Sequence, residues 1–146
     1  MDNFLDYFEE KFNIQEIKLN QYSPLVLAYI GDAVYEMMIR TVIVNEGNMQ
    51  VNKMHKMAKD LVKASAQAEI YYIVESMLTE EELNIFKRGR NAKSATKAKN
   101  ASLIDYRTAT GFETLIGYLY LKKDFKRMTD LVSEGVKGCQ SNQNDL

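Results

Sequence analysis

Two carboxylates stand where apolar packing leaves little room for charge. Asp32 sits in a run, Leu25 to Val34, that holds no other ionisable side chain except Tyr29. Glu113 is the only charge between Arg107 and Lys122. A carboxylate taken out of water is costly, so it takes up a proton or acquires a partner. Glu36 has a local answer, because Arg40 follows four residues later on the same helical face. Asp32 and Glu113 have no cation within a turn. If their helices pack together, the two acids converge and require a positive charge between them. Mg²⁺, which keeps several of its waters, suits one or two carboxylates. On the residues alone, a buried ion pair with a distant Lys or Arg stands as the alternative.

The elements that must position these acids read as helices. Ser23-Pro24 supplies an N-cap and a proline at the first helical position. The helix it opens runs to about Asn45-Glu46-Gly47, where glycine is a natural stop. Its apolar residues cover nearly the whole circumference, which predicts a central, buried helix. The helix of Glu113 runs from Ser102 or Asp105 to Lys122. Ala109, Gly111 and Gly117 keep its surface small, and helix-interior glycine costs about 1 kcal/mol relative to alanine, so close packing is expected there. A short helix covers about Asn3 to Phe12. A basic amphipathic stretch spans Val51 to Met77, with a break near Lys63. Thr79 and Glu82 form a capping box for another helix. Asp124 caps a final helix predicted to end near Gly135 or Gly138. No alternating strand pattern competes, so the fold is predicted to be all-α: one domain over residues 1–138, then a polar, frayed tail over 139–146.

Composition bounds the rest. The 146 residues are 46% hydrophobic and 27% charged, ordinary usage for one globular domain. The N-terminus lacks the pattern of a secretory signal, and no apolar run reaches membrane-spanning length, so a cytoplasmic protein with no membrane partner is expected. The single cysteine, Cys139, excludes an internal disulfide and reads as an exposed, incidental thiol. His55, the only histidine, has no partner acid identifiable for catalysis and reads as a structural or surface residue of an amphipathic helix.

The net charge of −1 carries no nucleic-acid signal, but its distribution does. Lys87, Arg88, Arg90, Lys93, Lys97 and Lys99 occur with no acid among them, and Asn91 lies within the run. Such a segment fits a polyanion footprint, or a solvated charged loop. It lacks aromatic residues for stacking on single-stranded bases, so phosphate and 2′-hydroxyl contacts on an RNA duplex fit it better. Lys53, Lys56, Lys59 and Lys63 either extend the patch or form the wet face of a helix.

Four segments carry a family resemblance. Tyr29-Ile30-Gly31-Asp32-Ala33-Val34-Tyr35-Glu36 resembles the signature helix of ribonuclease III catalytic domains. Ala109 to Leu121 is similar to that fold's second acidic helix. Lys63 to Ala68 and Arg88 to Ser94 match in the same order. The best match is to Mini-ribonuclease III, the short bacterial members without a double-stranded-RNA-binding domain, and it extends from about Ser23 to Lys122. The resemblance implies a helical homodimer that uses Mg²⁺, with Mn²⁺ able to substitute, to hydrolyse double-stranded RNA to 5′-phosphate ends. The usual family role is maturing the ends of 23S ribosomal RNA precursor. Asp32 and Glu113 match the two carboxylates the whole superfamily uses as catalytic metal ligands.

Full-length relatives carry further acids at the positions of Leu25, Ala28 and Thr110. With fewer protein oxygens, more ligands must be water or substrate phosphate. Glu36 either orients such a water or pairs with Arg40, and the spacing favours the pair. Thr110 either contacts a water or fills space. Substrate selection would fall to the dimer, to the basic segment, or to a ribosomal protein presenting the RNA. The thinned acids motivate a rival, a catalytically weak RNA-binding or ribosome-assembly factor on the same scaffold; a third reading, a helical protein-interaction module, would leave Asp32 and Glu113 without a purpose.

Overall fold

The computed structural model of the chain describes residues 2–92 and 102–144. They form seven α-helices and two short 3₁₀ turns, with no strand among the described residues. The helices are α1 (Asp2–Lys11), α2 (Pro24–Val44), α3 (Val51–Val62), α4 (Ala64–Val74), α5 (Glu80–Arg90), α6 (Leu103–Leu121) and α7 (Phe125–Asn144). The locally encoded boundaries fall where the sequence puts them. The Ser23 hydroxyl accepts from the Val26 N–H, and the Ser102 hydroxyl accepts from the Asp105 N–H. Thr79 and Glu82 close a reciprocal capping box. Lys63 turns extended, with ψ 155°, and separates α3 from α4.

α6 is the hub of the bundle. α2, α5 and α4 pack directly on it, and α7 closes over α4 and α6. Phe112, Leu115, Ile116 and Leu119 point from α6 into the core, where Tyr35, Ile39, Ile70 and Leu131 meet them. Tyr35 sits edge-on to Phe112 with ring centroids 5.5 Å apart, and its hydroxyl donates to the Leu61 carbonyl at 2.6 Å. The edge-on pair adds about 1 kcal/mol to simple burial. The hydrogen bond lets a phenol lie in the core without an orphaned donor.

Three expectations need correction. α2 is not buried all round. Leu27, Val34, Tyr35, Ile39 and Ile43 face the core, while Val26, Tyr29, Met37, Val42 and Val44 are exposed. The apolar residues that hide the helix's direction in sequence therefore form an open apolar surface. α7 does not stop at Gly135 or Gly138, and the frayed tail does not begin at residue 139. The helix continues to Asn144, because both glycines pack against α4, on Ile70 and Ile73, instead of ending a turn. Cys139 is fully buried rather than exposed, beside the Glu69 carboxylate.

One polar anchor ties α5 to α7. The Arg127 guanidinium forks onto Glu82, Nε to Oε2 and a terminal nitrogen to Oε1, both at 2.8 Å, and also donates to the Met77 carbonyl. Glu82 is buried, and the Arg127 bonds hold its carboxyl below the usual range despite burial. Breaking such a pair strands a buried carboxylate. Arg127→Met is expected to destabilise the fold by about 2 kcal/mol, measured by urea unfolding at neutral pH. Glu82 has a depressed folded pKa, so the pair's contribution is present above the unfolded carboxylate pKa and lost as pH falls through the folded value. The difference between wild type and Arg127→Met should therefore shrink at acid pH.

Candidate active site

α2 and α6 meet backbone to backbone at Gly31 and Gly117. A methyl group on Gly31 would collide with the Glu113 carbonyl oxygen and stand 2.7 Å from the Gly117 nitrogen. One on Gly117 would collide with the Leu27 carbonyl oxygen. This answers what the small residues are for, and places the contact within the subunit. It also sets the acids, because Asp32 follows Gly31 directly and the Glu113 backbone is part of the contact. The Thr114 hydroxyl adds a tie, lying 2.7 Å from the Thr110 carbonyl and 3.2 Å from the Pro24 carbonyl at the start of α2.

The two acids differ in environment. Asp32 is exposed, contrary to the expectation of a buried helix, whereas Glu113 lies partly buried on the inner side of the crossing. The Glu113 carboxyl is pushed up to about 9. Burial is the main cause, followed by the hydrogen bond that the protonated carboxyl donates to Asp32 and by the like charge of Asp32. The neighbouring Gln67 side chain opposes these by favouring the charged form. Like-charged neighbours with one raised pKa share a proton that a bound cation would displace.

The donor set fits a hard divalent cation. Two carboxylates converge, one open to solvent, and no group of three or more His, Cys, Asp or Glu residues capable of holding a metal occurs among the described residues. Two protein carboxylates would leave a cation's other positions to water or phosphate, the arrangement Mg²⁺ tolerates. A nearby buried carbonyl oxygen, Gln67 Oε1, also lacks a hydrogen-bond partner.

The remaining candidates separate clearly. Glu36 pairs with Arg40 at 2.8 Å, the local answer its spacing favours. The Thr110 hydroxyl donates to the Tyr106 carbonyl of its own helix at 3.0 Å, so it is engaged structurally. Ala28 is buried and Leu25 exposed, and neither offers oxygen to the site. His55 is exposed on α3, in line with a surface role.

In the basic segment, Lys87, Arg88 and Asn91 are exposed. Arg90 is half-buried, lying over the Phe86 ring at 5.6 Å and donating to the Asn91 side chain at 3.2 Å. These cations occupy the last turn of α5, where they also complement the helix dipole. Gly89 is buried against Thr114 and Gly111, so its small size serves helix packing and not the approach of a ligand. The same contact sets the basic end of α5 beside the stretch of α6 that carries Glu113. Lys93, Lys97 and Lys99 lie outside the described residues.

Gln67 is the neighbour of Glu113 that motif reading passes over. It falls within the matched stretch Lys63 to Ala68, and its signal is a polar side chain flanked by Ala66, Ala68, Ile70 and Tyr71, all buried.

The chain is an all-helical bundle with a pair of acids at a glycine-lined helix crossing. The Ribonuclease III domain family matches residues 25–124, and the chain belongs to that family of endoribonucleases. It is similar to proteins named Mini-ribonuclease 3. The one from Clostridium tetani is 52% identical over 127 residues, covering 86% of this chain and 83% of the relative. The one from Brevibacillus brevis is 49% identical, covering 79% and 86%. A crystal structure of a Fusobacterium nucleatum protein shares the fold with a TM-score of 0.73 and 32% identity, covering 81% of this chain and 94% of that one.

Proposed function

We infer that the chain is a Mg²⁺-dependent endoribonuclease that cuts double-stranded RNA, in the cytoplasm, with Asp32 and Glu113 as its catalytic metal ligands. The observation that carries this reading is the convergence of these two carboxyls at the Gly31–Gly117 crossing, where the partner they lack is a cation. When bound, a divalent ion (Mg²⁺, or Mn²⁺ in its place) supplies a water of lowered pKa and positive charge at the scissile phosphate. The chain's residues bind and orient. Exposed Asp32 and partly buried Glu113 would hold the ion between them. No protein side chain is needed as nucleophile, and the products carry 5′-phosphates.

Lys87, Arg88, Arg90 and Asn91, with Lys93, Lys97 and Lys99, are assigned to the RNA backbone. The open apolar face of α2 supports a homodimer, since a patch carrying Val26, Tyr29, Met37 and Val44 is unusual on a free monomer. The physiological substrate proposed is 23S ribosomal RNA precursor, trimmed at its ends, with a ribosomal protein as a candidate presenter of that RNA.

A duplex-RNA cleavage assay tests this reading. Cleavage is expected in Mg²⁺, with loss on chelation and restoration by Mn²⁺. Binding without cleavage in either metal would favour an assembly factor instead. The RNA footprint makes a separate prediction. Affinity for duplex RNA in Ca²⁺ should fall steeply between about 50 and 200 mM salt. A Lys87→Ala, Arg88→Ala double variant should flatten the log–log salt slope by about 2, one unit per lost phosphate contact. An unchanged slope would remove both residues from the interface.

A further inference from the structure

Gln67 is 3% exposed, yet only part of its amide has an evident structural use. The last carbonyls of a helix lack intrahelical donors. Where the chain breaks at Lys63, the Val62 carbonyl accepts from Gln67 Nε2 at 2.8 Å. A carbonyl only accepts, so this bond fixes which way the amide faces. The nitrogen is turned to Val62 and has one more N–H to give, and the Glu113 carboxyl is near enough for Gln67 to favour its charged form. Oε1 is left buried without a partner. If Gln67 served only to cap α3, a buried acceptor would be orphaned at a cost and for no return.

We propose that Gln67 is a positioning residue of the cation site: clamped by Val62, it fixes the Glu113 carboxylate through Nε2 and offers Oε1 to the hydration water of the cation. The proposal rests on the reading that Asp32 and Glu113 hold a divalent ion. It goes beyond that reading by giving the two-acid site a neutral third oxygen, supplied from α4. Groups that orient metal ligands in this way commonly change metal affinity or activity 10- to 100-fold when removed.

The test is Mn²⁺ binding by the full-length protein, followed by electron paramagnetic resonance and calorimetry, with melting temperature in chelator recorded alongside. Gln67→Leu keeps the volume and removes all three polar functions. It should weaken Mn²⁺ binding at least about tenfold. A purely structural Gln67 would lower the melting temperature and leave Mn²⁺ affinity unchanged, which overturns the proposal. Gln67→Glu carries the test if the leucine variant does not fold. A carboxylate oxygen in place of Oε1 should tighten Mn²⁺ binding, and unchanged or weaker binding overturns the idea. Failure of the wild-type protein itself to bind Mn²⁺ would instead sink the underlying metal assignment, so the two failures are distinct.

Discussion

Glu113→Gln should melt a few degrees higher than wild type in chelator at pH 8, and should cut duplex RNA in Mg²⁺ about 100- to 1,000-fold more slowly. Both effects come from one carboxyl. Its pKa rises from 4.5 in the unfolded chain to about 9 in the fold, through burial first and then through Asp32. Between those values the unfolded chain releases a proton that the folded chain keeps. The stability contributed by the protonated form is therefore whole below about pH 4.5 and declines as pH climbs towards 9. Glutamine abolishes that decline, so the two proteins should diverge in melting temperature as pH is raised. Wild type must expel the same proton to bind a cation, and its Mg²⁺ affinity should rise with pH up to about 9. Thermal melts from pH 5 to 9, and single-turnover cleavage at one pH, check both halves. A variant that cuts like wild type would show that Glu113 holds no metal.

The second large effect is expected at the helix crossing. Gly117→Ala gains about 1 kcal/mol of helix propensity. It also drives a methyl group into the Leu27 carbonyl, a backbone atom that cannot swing away. Overpacking of this kind costs about 3 kcal/mol, so a net loss of about 2 kcal/mol is expected in urea unfolding. The functional loss should be larger. Separating α2 from α6 by a fraction of an ångström moves Asp32 relative to Glu113, and a displacement of about 1 Å in a reacting constellation can cost about 100-fold in rate. Gly135→Ala is the comparator. Its methyl group would meet the Ile70 side chain, far along the chain from both acids. That variant should lose stability while its folded fraction cleaves at the normal rate. Equal loss of cleavage in both variants would mean that the crossing does not set the acid geometry.

How much of this was legible in the residues depends on how local each cause is. Ser23-Pro24, the Thr79–Glu82 box and the break at Lys63 act over one turn, and they sit where the pattern puts them. Asp32 and Glu113 were conspicuous because each violates an apolar run, and the glycines foretold a close approach. Their partner in that approach could not be read, because a small residue announces contact without naming what it touches. Gly135 and Gly138 show the opposite failure. In isolation they resemble helix stops, but α4 fills the space they leave and the helix runs through. The outward face of α2 was illegible for another reason. Val26 or Met37 looks the same in sequence whether it meets a core or an open surface, and the exposure of Asp32 was lost with that distinction. Gln67 was overlooked because its role depends on a carbonyl freed by a helix end five residues away.

The burial of Cys139 gives the molecule a built-in clock. Its thiol is shielded by α4 and α7, and desolvation, helped by Glu69, pushes it up to about 11. At neutral pH an alkylating reagent finds neither access nor thiolate while α7 stays seated. The rate at which the sulfur becomes labelled therefore counts how often the last helix peels from the bundle, with no engineered probe required.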